Sequence, residues 1–149
     1  KEGSTISLID VAAAISGSPD AERARVRVGS DDPGENTRPF AVAFTSDGAQ
    51  VIATCFRSNT VSFVDVADAL AGRPAEHVRL HLTTPNGGPA RPRGVALTPD
   101  GRHAVITGGA KTGPGSSLVW ILDVEAMTVI GTVTEVGNES YFLAMVPNA

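Results

Sequence analysis

The chain has 149 residues with a formal net charge of −4, 42% hydrophobic and 19% charged, a balance that fits one packed globular domain and excludes a disordered chain. Its acidic balance argues against a general nucleic-acid-binding surface, and no apolar run approaches the roughly 20 residues that span a bilayer. The single cysteine, Cys55, excludes an intrachain disulfide and leaves the compartment open.

Residues 1–29 begin, after Lys1-Glu2-Gly3-Ser4, with Thr5-Ile6-Ser7-Leu8-Ile9-Asp10-Val11, an alternating stretch that predicts a strand closing on an aspartate. That start, without Met or an apolar signal core, is expected of a mature or trimmed product. The Ala-rich segment 11–17 is long enough for about two helical turns. Val26-Arg27-Val28 then alternates apolar and basic residues, as a half-wet outer strand does.

Residues 37–82 predict a complete four-stranded unit. Pro39 opens the apolar strand Phe40-Ala41-Val42-Ala43-Phe44, which runs into Asp47-Gly48 and then a second strand from Gln50 to Thr54. The Asp-Gly pair predicts a hairpin turn, with glycine taking the positive φ and the aspartate bonding nearby backbone. A third strand, Thr60 to Val66, again closes on an aspartate, Asp65. A second Ala-rich stretch at 66–72 leads to the outer strand Val78-Arg79-Leu80-His81-Leu82.

Residues 90–134 repeat this order. Pro92 to Gly101 matches Pro39 to Gly48 position for position, and His103 to Thr107 stands for Gln50 to Thr54. Ser117 to Val124 is the third strand, and Glu125-Ala126-Met127-Thr128 forms a tight turn where the earlier units have Ala-rich segments. Leu143 to Ala149 overlays Val42 to Gly48, so 140–149 is expected to be the first strand of a further unit. Asp10, Asp65 and Asp123 recur 55 and 58 residues apart, and the two Asp-Gly turns 53 apart.

These residues resemble the YVTN repeat of β-propellers. Its outline is a proline, an apolar strand, Pro-Asp-Gly, a second strand, and Asn-Thr-Val closing on a hydrophobic-Asp pair. Asn59-Thr60-Val61 and Val64-Asp65 fit that outline, whereas Ser116-Ser117-Leu118 departs from it, and neither second strand carries the tyrosine usual there. The resemblance implies an all-β fold: a β-propeller segment of about three four-stranded antiparallel blades, forming an incomplete ring. Propellers typically close with four to eight blades, and blades bury their faces only against neighbours. Two arrangements meet that need. The chain is part of a longer propeller, or copies associate head to tail, so its expected partner is another propeller-segment chain or further copies of itself.

In propellers a ligand sits where loops converge at one end of the central channel, which here implies 30–39, 55–60, 84–93, 108–117 and 134–141. These loops gather Arg38, Arg57, Arg91, Arg93 and Lys111 in an acidic chain, with Asn59 beside them. Guanidinium groups bind carboxylates in forks, so a small anionic ligand is the functional reading. The alternative is that they are solvated loop charges or donors to carbonyls of the neighbouring blade.

Other candidates carry less. Asp10, Asp65 and Asp123 recur at one structural position, as do Asp47 and Asp100, which predicts turn stabilisation and no catalytic residue among them. Asp31, Asp32, Glu35, Glu135 and Glu139 do not recur, but the sequence pairs none of them as acid and base. His77 and His81 flank Arg79, which disfavours a metal, and no cofactor is expected. Gly108 to Ser117 lacks the Walker spacing and precedes a strand, so it predicts a mobile loop, not a phosphate loop. Cys55 is expected to be a structural thiol and Trp120 core between blades.

The function expected is a binding or scaffold module, with no catalysis by this chain alone. The alternative is a fragment or subunit of a propeller enzyme, either a lactonase-like hydrolase or a quinone, copper or haem oxidoreductase. The resemblance implies a periplasmic or extracellular setting.

Overall fold

The structure, a computed structural model, describes residues 3–109 and 117–146. Among them ten strands form three antiparallel sheets set side by side. The first has two strands, β1 (Thr5–Ile9) and β2 (Glu22–Arg27), joined through a short helix α1 (Val11–Ile15). The second runs β3 (Pro39–Phe44), β4 (Gln50–Cys55), β5 (Thr60–Asp65) and β6 (Glu76–His81), with helix α2 (Val66–Leu70) between the last two. The third runs β7 (Val95–Leu97), β8 (His103–Gly109), β9 (Ser117–Asp123) and β10 (Thr128–Thr134). This is an all-β, unclosed propeller segment. No helix is long and apolar enough to cross a membrane.

The recurring aspartates build the joints. Asp10 and Asp65 cap α1 and α2, accepting from the Ala13 and Asp68 backbone N–H at 3.0 and 2.7 Å. Asp123 accepts from Ala126 N–H at 2.8 Å in the tight turn that replaces a helix. In each Asp-Gly hairpin a threonine three residues before the glycine completes the turn. Thr45 and Thr98 donate to Asp47 and Asp100 at 2.6 Å, and those bonds hold both carboxyls below their usual range. Gly48 and Gly101 take φ of 71° and 70°, where an L side chain would be strained.

Strand alternation gives every blade two faces, and each face is buried against a neighbour. Ile52, Val61 and Phe63 of the second blade point at the third, where they meet Ile106, Leu118, Trp120 and Leu122. Val51, Ala53, Cys55 and Val64 point the other way, onto Ile6, Leu8 and Val28. Register puts Trp120 opposite Ile106 just as Ser62 stands opposite Ala53. The indole thus takes a serine's place on the face turned to the preceding blade, and its Nε1 donates to Thr83 O at 3.1 Å. Gly108 stands where the sister blade has Cys55, and a Cβ there would lie 2.7 Å from the Trp120 ring. The large residue on one strand is accommodated by the missing side chain on the next.

One expected element differs. Residues 141–146 carry no strand, and 147–149 lie outside the described residues. A blade's first strand hydrogen-bonds only to its own second strand, and residues 3–146 hold none for this segment. It is tied instead to the third blade: Thr107 Oγ1 donates to Tyr141 O at 3.1 Å, and Ser140 N donates to Ser117 Oγ at 3.2 Å. Thr54 Oγ1 makes the equivalent bond to Arg93 O, at 2.5 Å. The segment therefore holds the place of a first strand without its ladder.

Phe63 is fully buried between blades, so Phe63→Ala is expected to lower unfolding free energy by about 3–5 kcal/mol. Asp123→Ala, which removes only a turn bond, should cost about 1 kcal/mol. Urea denaturation followed by tryptophan fluorescence measures both, and equal losses would contradict this placement of the core.

Candidate functional site

The chain turns sharply just before each first strand. Arg38, Arg91 and Glu139 occupy this place in three successive units, with φ of 52°, 45° and 52°. The residues two positions further on are Phe40, Arg93 and Tyr141. Together with the loop after β4, these turns enclose a pocket of about 530 Å³ lined by Arg38, Phe40, Phe56, Arg57, Asn59, Pro89, Arg91, Arg93 and Tyr141.

Five of the six residues expected at the rim therefore line one cavity. Lys111, the sixth, lies outside the described residues, as does most of the 108–117 loop that was set aside as a phosphate site. Asn59 has a definite structural task. Its Oδ1 accepts from the Arg91 backbone N–H at 2.9 Å, and its φ of 59° suits an asparagine. It joins the second blade to the third and shapes the wall of the pocket.

The aromatic residues were not anticipated. The Phe56 ring carries three guanidinium groups, with Arg38, Arg91 and Arg93 Cζ at 5.3, 5.9 and 5.3 Å from its centroid. Arg93 is only 1% exposed and also stands 4.6 Å from the Tyr141 ring centroid. Phe40 packs against Phe56, Tyr141 and Phe142, each at 6.1 Å between centroids. The signal for them was present in the repeat: Phe40, Arg93 and Tyr141 share one position that differs in every copy while its surroundings recur.

The electrostatics are one-sided. No carboxylate lines the pocket among the described residues, and Arg38, Arg91 and Arg93 enter no ion pair there. Arg93 Nε and Nη1 are buried and have no hydrogen-bond partner among the described residues. A cation taken out of water costs several kcal/mol, and stacking on aromatic faces returns about 0.5–2 kcal/mol per contact. The pocket is thus preorganised positive, with donors left unused.

The opposite end of the fan is acidic but occupied. Asp47, Asp65, Asp100 and Asp123 line a cleft there, and their side chains are the turn and cap acceptors already described. Asp65, Asp68 and His77 bring ligand atoms within 4.8 Å of one another. Asp68 is bonded by both Arg73, at 2.7 Å from Nε, and His77, at 2.7 Å, so its charge is already matched. Cys55 is buried, and that burial pushes its thiol up to about 11.

No family model matches the sequence, and no curated protein matches it either. Solved structures do match. A functionally unknown protein from Desulfotomaculum acetoxidans superposes with a TM-score of 0.68 at 17% identity, over 97% of this chain and 38% of that one. A putative 6-phosphogluconolactonase from Bacteroides fragilis gives 0.64 at 20% identity, over 91% and 37%. The periplasmic gluconolactonase of Pseudomonas aeruginosa gives 0.63 at 16% identity, over 92% and 37%. The chain spans less than two fifths of the length of each.

A buried neutral thiol reacts slowly, because the thiolate is the nucleophile. Cys55 in the folded chain at pH 8 is expected to resist Ellman's reagent, and to react at once in urea. Its raised value stabilises the fold below the ordinary thiol range, and that contribution is lost as pH climbs towards 11. Rapid labelling of the native chain would contradict the burial.

Sheet order, blade-to-blade packing and these superpositions agree, and the chain is a partial β-propeller with the fold of lactonase-like propeller proteins.

Proposed function

We propose that this chain is a binding module of a larger or oligomeric propeller, and that its rim pocket takes a small ligand bearing a carboxylate. The observation that carries this reading is Arg93: a buried guanidinium with two nitrogens lacking partners, in a cavity lined by other arginines and no acid. Buried polar groups are satisfied in native proteins, and one that is not calls for an ion or ligand. A carboxylate supplies the charge and the acceptors together. The aromatic walls favour a ligand with an apolar or planar body beside its anionic group.

A second reading draws on the superposed lactonases, whose names attach to gluconolactone chemistry. Here the same pocket would hold the acidic end of a sugar-acid lactone within a complete ring. Fold likeness alone supports it, and the pocket's described lining offers no carboxylate or imidazole for proton transfer. The periplasmic setting of the Pseudomonas protein likewise supports a periplasmic or extracellular location for this chain.

Titration calorimetry with citrate, and with inorganic phosphate as a non-carboxylate control, tests the proposal. Citrate is expected to bind, and Arg93→Gln and Arg38→Ala are each expected to weaken it about tenfold, which is about 1.4 kcal/mol. Absence of citrate heat from the wild type, or unchanged binding by both variants, overturns it.

A further inference from the structure

A polar trio on the second blade shows how one blade grips the preceding one. Ser62 and Arg79 are register partners across β5 and β6, and Glu76 stands opposite Val64. The Glu76 carboxylate is bonded by Arg79 and accepts the Gly29 backbone N–H at 2.8 Å. Arg79 also forks onto Asp31, at 3.0 and 3.2 Å. Gly29 and Asp31 belong to the connection that follows β2, the outer strand of the preceding blade. Covered in this way, the Arg79 and Glu76 side chains are 21% and 11% exposed.

The same three residue types stand at the same register places on the first blade. Ser7 pairs with Arg25 and Ile9 with Glu22. Ser7 Oγ donates to Glu22 Oε1 at 2.6 Å, and Arg25 donates to both Glu22 oxygens at 2.8 and 2.9 Å. Nothing covers this copy among the described residues: the Arg25 and Glu22 side chains are 63% and 37% exposed. Strand alternation alone does not produce the trio, because the third blade has Trp120 in the serine's place.

We propose that Ser7, Glu22 and Arg25 dock a second copy of this chain, which presents its 134–139 connection to them. That connection follows β10 as the 28–31 segment follows β2, and it carries Glu135 and Glu139 to match Arg25. Behind it, 140–146 already lie in a first-strand place, with Phe142 and Val146 76% and 84% exposed. A groove of about 450 Å³ beside β1, lined in part by Ile6, Leu8, Val42 and Phe44, offers apolar cover for such side chains. The two flanks of the segment thus complement each other in charge and in apolar surface, and one copy's trailing flank meets the next copy's leading flank in the manner of the internal junction.

Sedimentation equilibrium of the 149-residue chain tests this. The mass is expected to rise with concentration from 15.3 kDa in whole-chain steps. Arg25→Glu is expected to weaken association about tenfold, as is E135R/E139R, with the three substitutions together restoring it. Arg25 is a surface residue, and an unchanged circular dichroism spectrum confirms that its variant folds. A chain that stays monomeric to about 1 mM overturns the proposal and leaves the flank to a blade from another polypeptide. Association that ignores both charge reversals overturns it equally.

Discussion

A four-stranded antiparallel blade has two pleated faces, and in this chain both are apolar along the middle strands. Water can be kept from them only by another blade on each side. That constraint explains the alternation Val51 outward to one neighbour, Ile52 to the other, and Val61 with Phe63 against Ser62 with Val64. It also explains why small changes come in compensating pairs. Trp120 enters the junction between second and third blades only because Gly108 leaves room, whereas the preceding junction keeps Cys55 and Ser62 and adds an ionic clamp through Glu76 and Arg79.

Stitching the blades together also makes the pocket. The threonine near the end of each second strand donates to a carbonyl of the next blade's opening segment, Thr54 to Arg93 and Thr107 to Tyr141. Those bonds hold the side chains of Arg93 and Tyr141 at the mouth of the channel, where Phe56 and Phe40 meet them. Asn59 fixes the intervening turn through the Arg91 N–H. The cost of a buried, unpaired guanidinium is therefore imposed by the same contacts that align the blades. Sites of this kind are places where local stability is spent on recognition.

Much of the fold was legible because its signals are local and repeated. The Asp-Gly hairpins, the capping aspartates and the proline-led strands each announce themselves within a few residues, and their spacing predicts the blades. The gathering of Arg38, Arg57, Asn59, Arg91 and Arg93 followed from assigning loops to one end of the channel. Two things were not legible. The aromatic wall depends on which way Phe40, Phe56 and Tyr141 turn, and that is set by contacts between residues far apart in sequence. The missing ladder at 141–146 depends on the presence of a second strand to pair with, while the apolar pattern there is that of a strand.

The claim beneath all of this is that the blades lie face to face in the stated register. A two-dimensional nuclear Overhauser spectrum centred on the indole N–H of Trp120 tests it most directly. Cross-peaks from that proton to Thr83, and from the indole ring to Phe63 and Leu82, are the expected result. Cross-peaks from Phe63 to Ile6 or Leu8, with none from Trp120 to the second blade, would show that the sheets do not stack in this order.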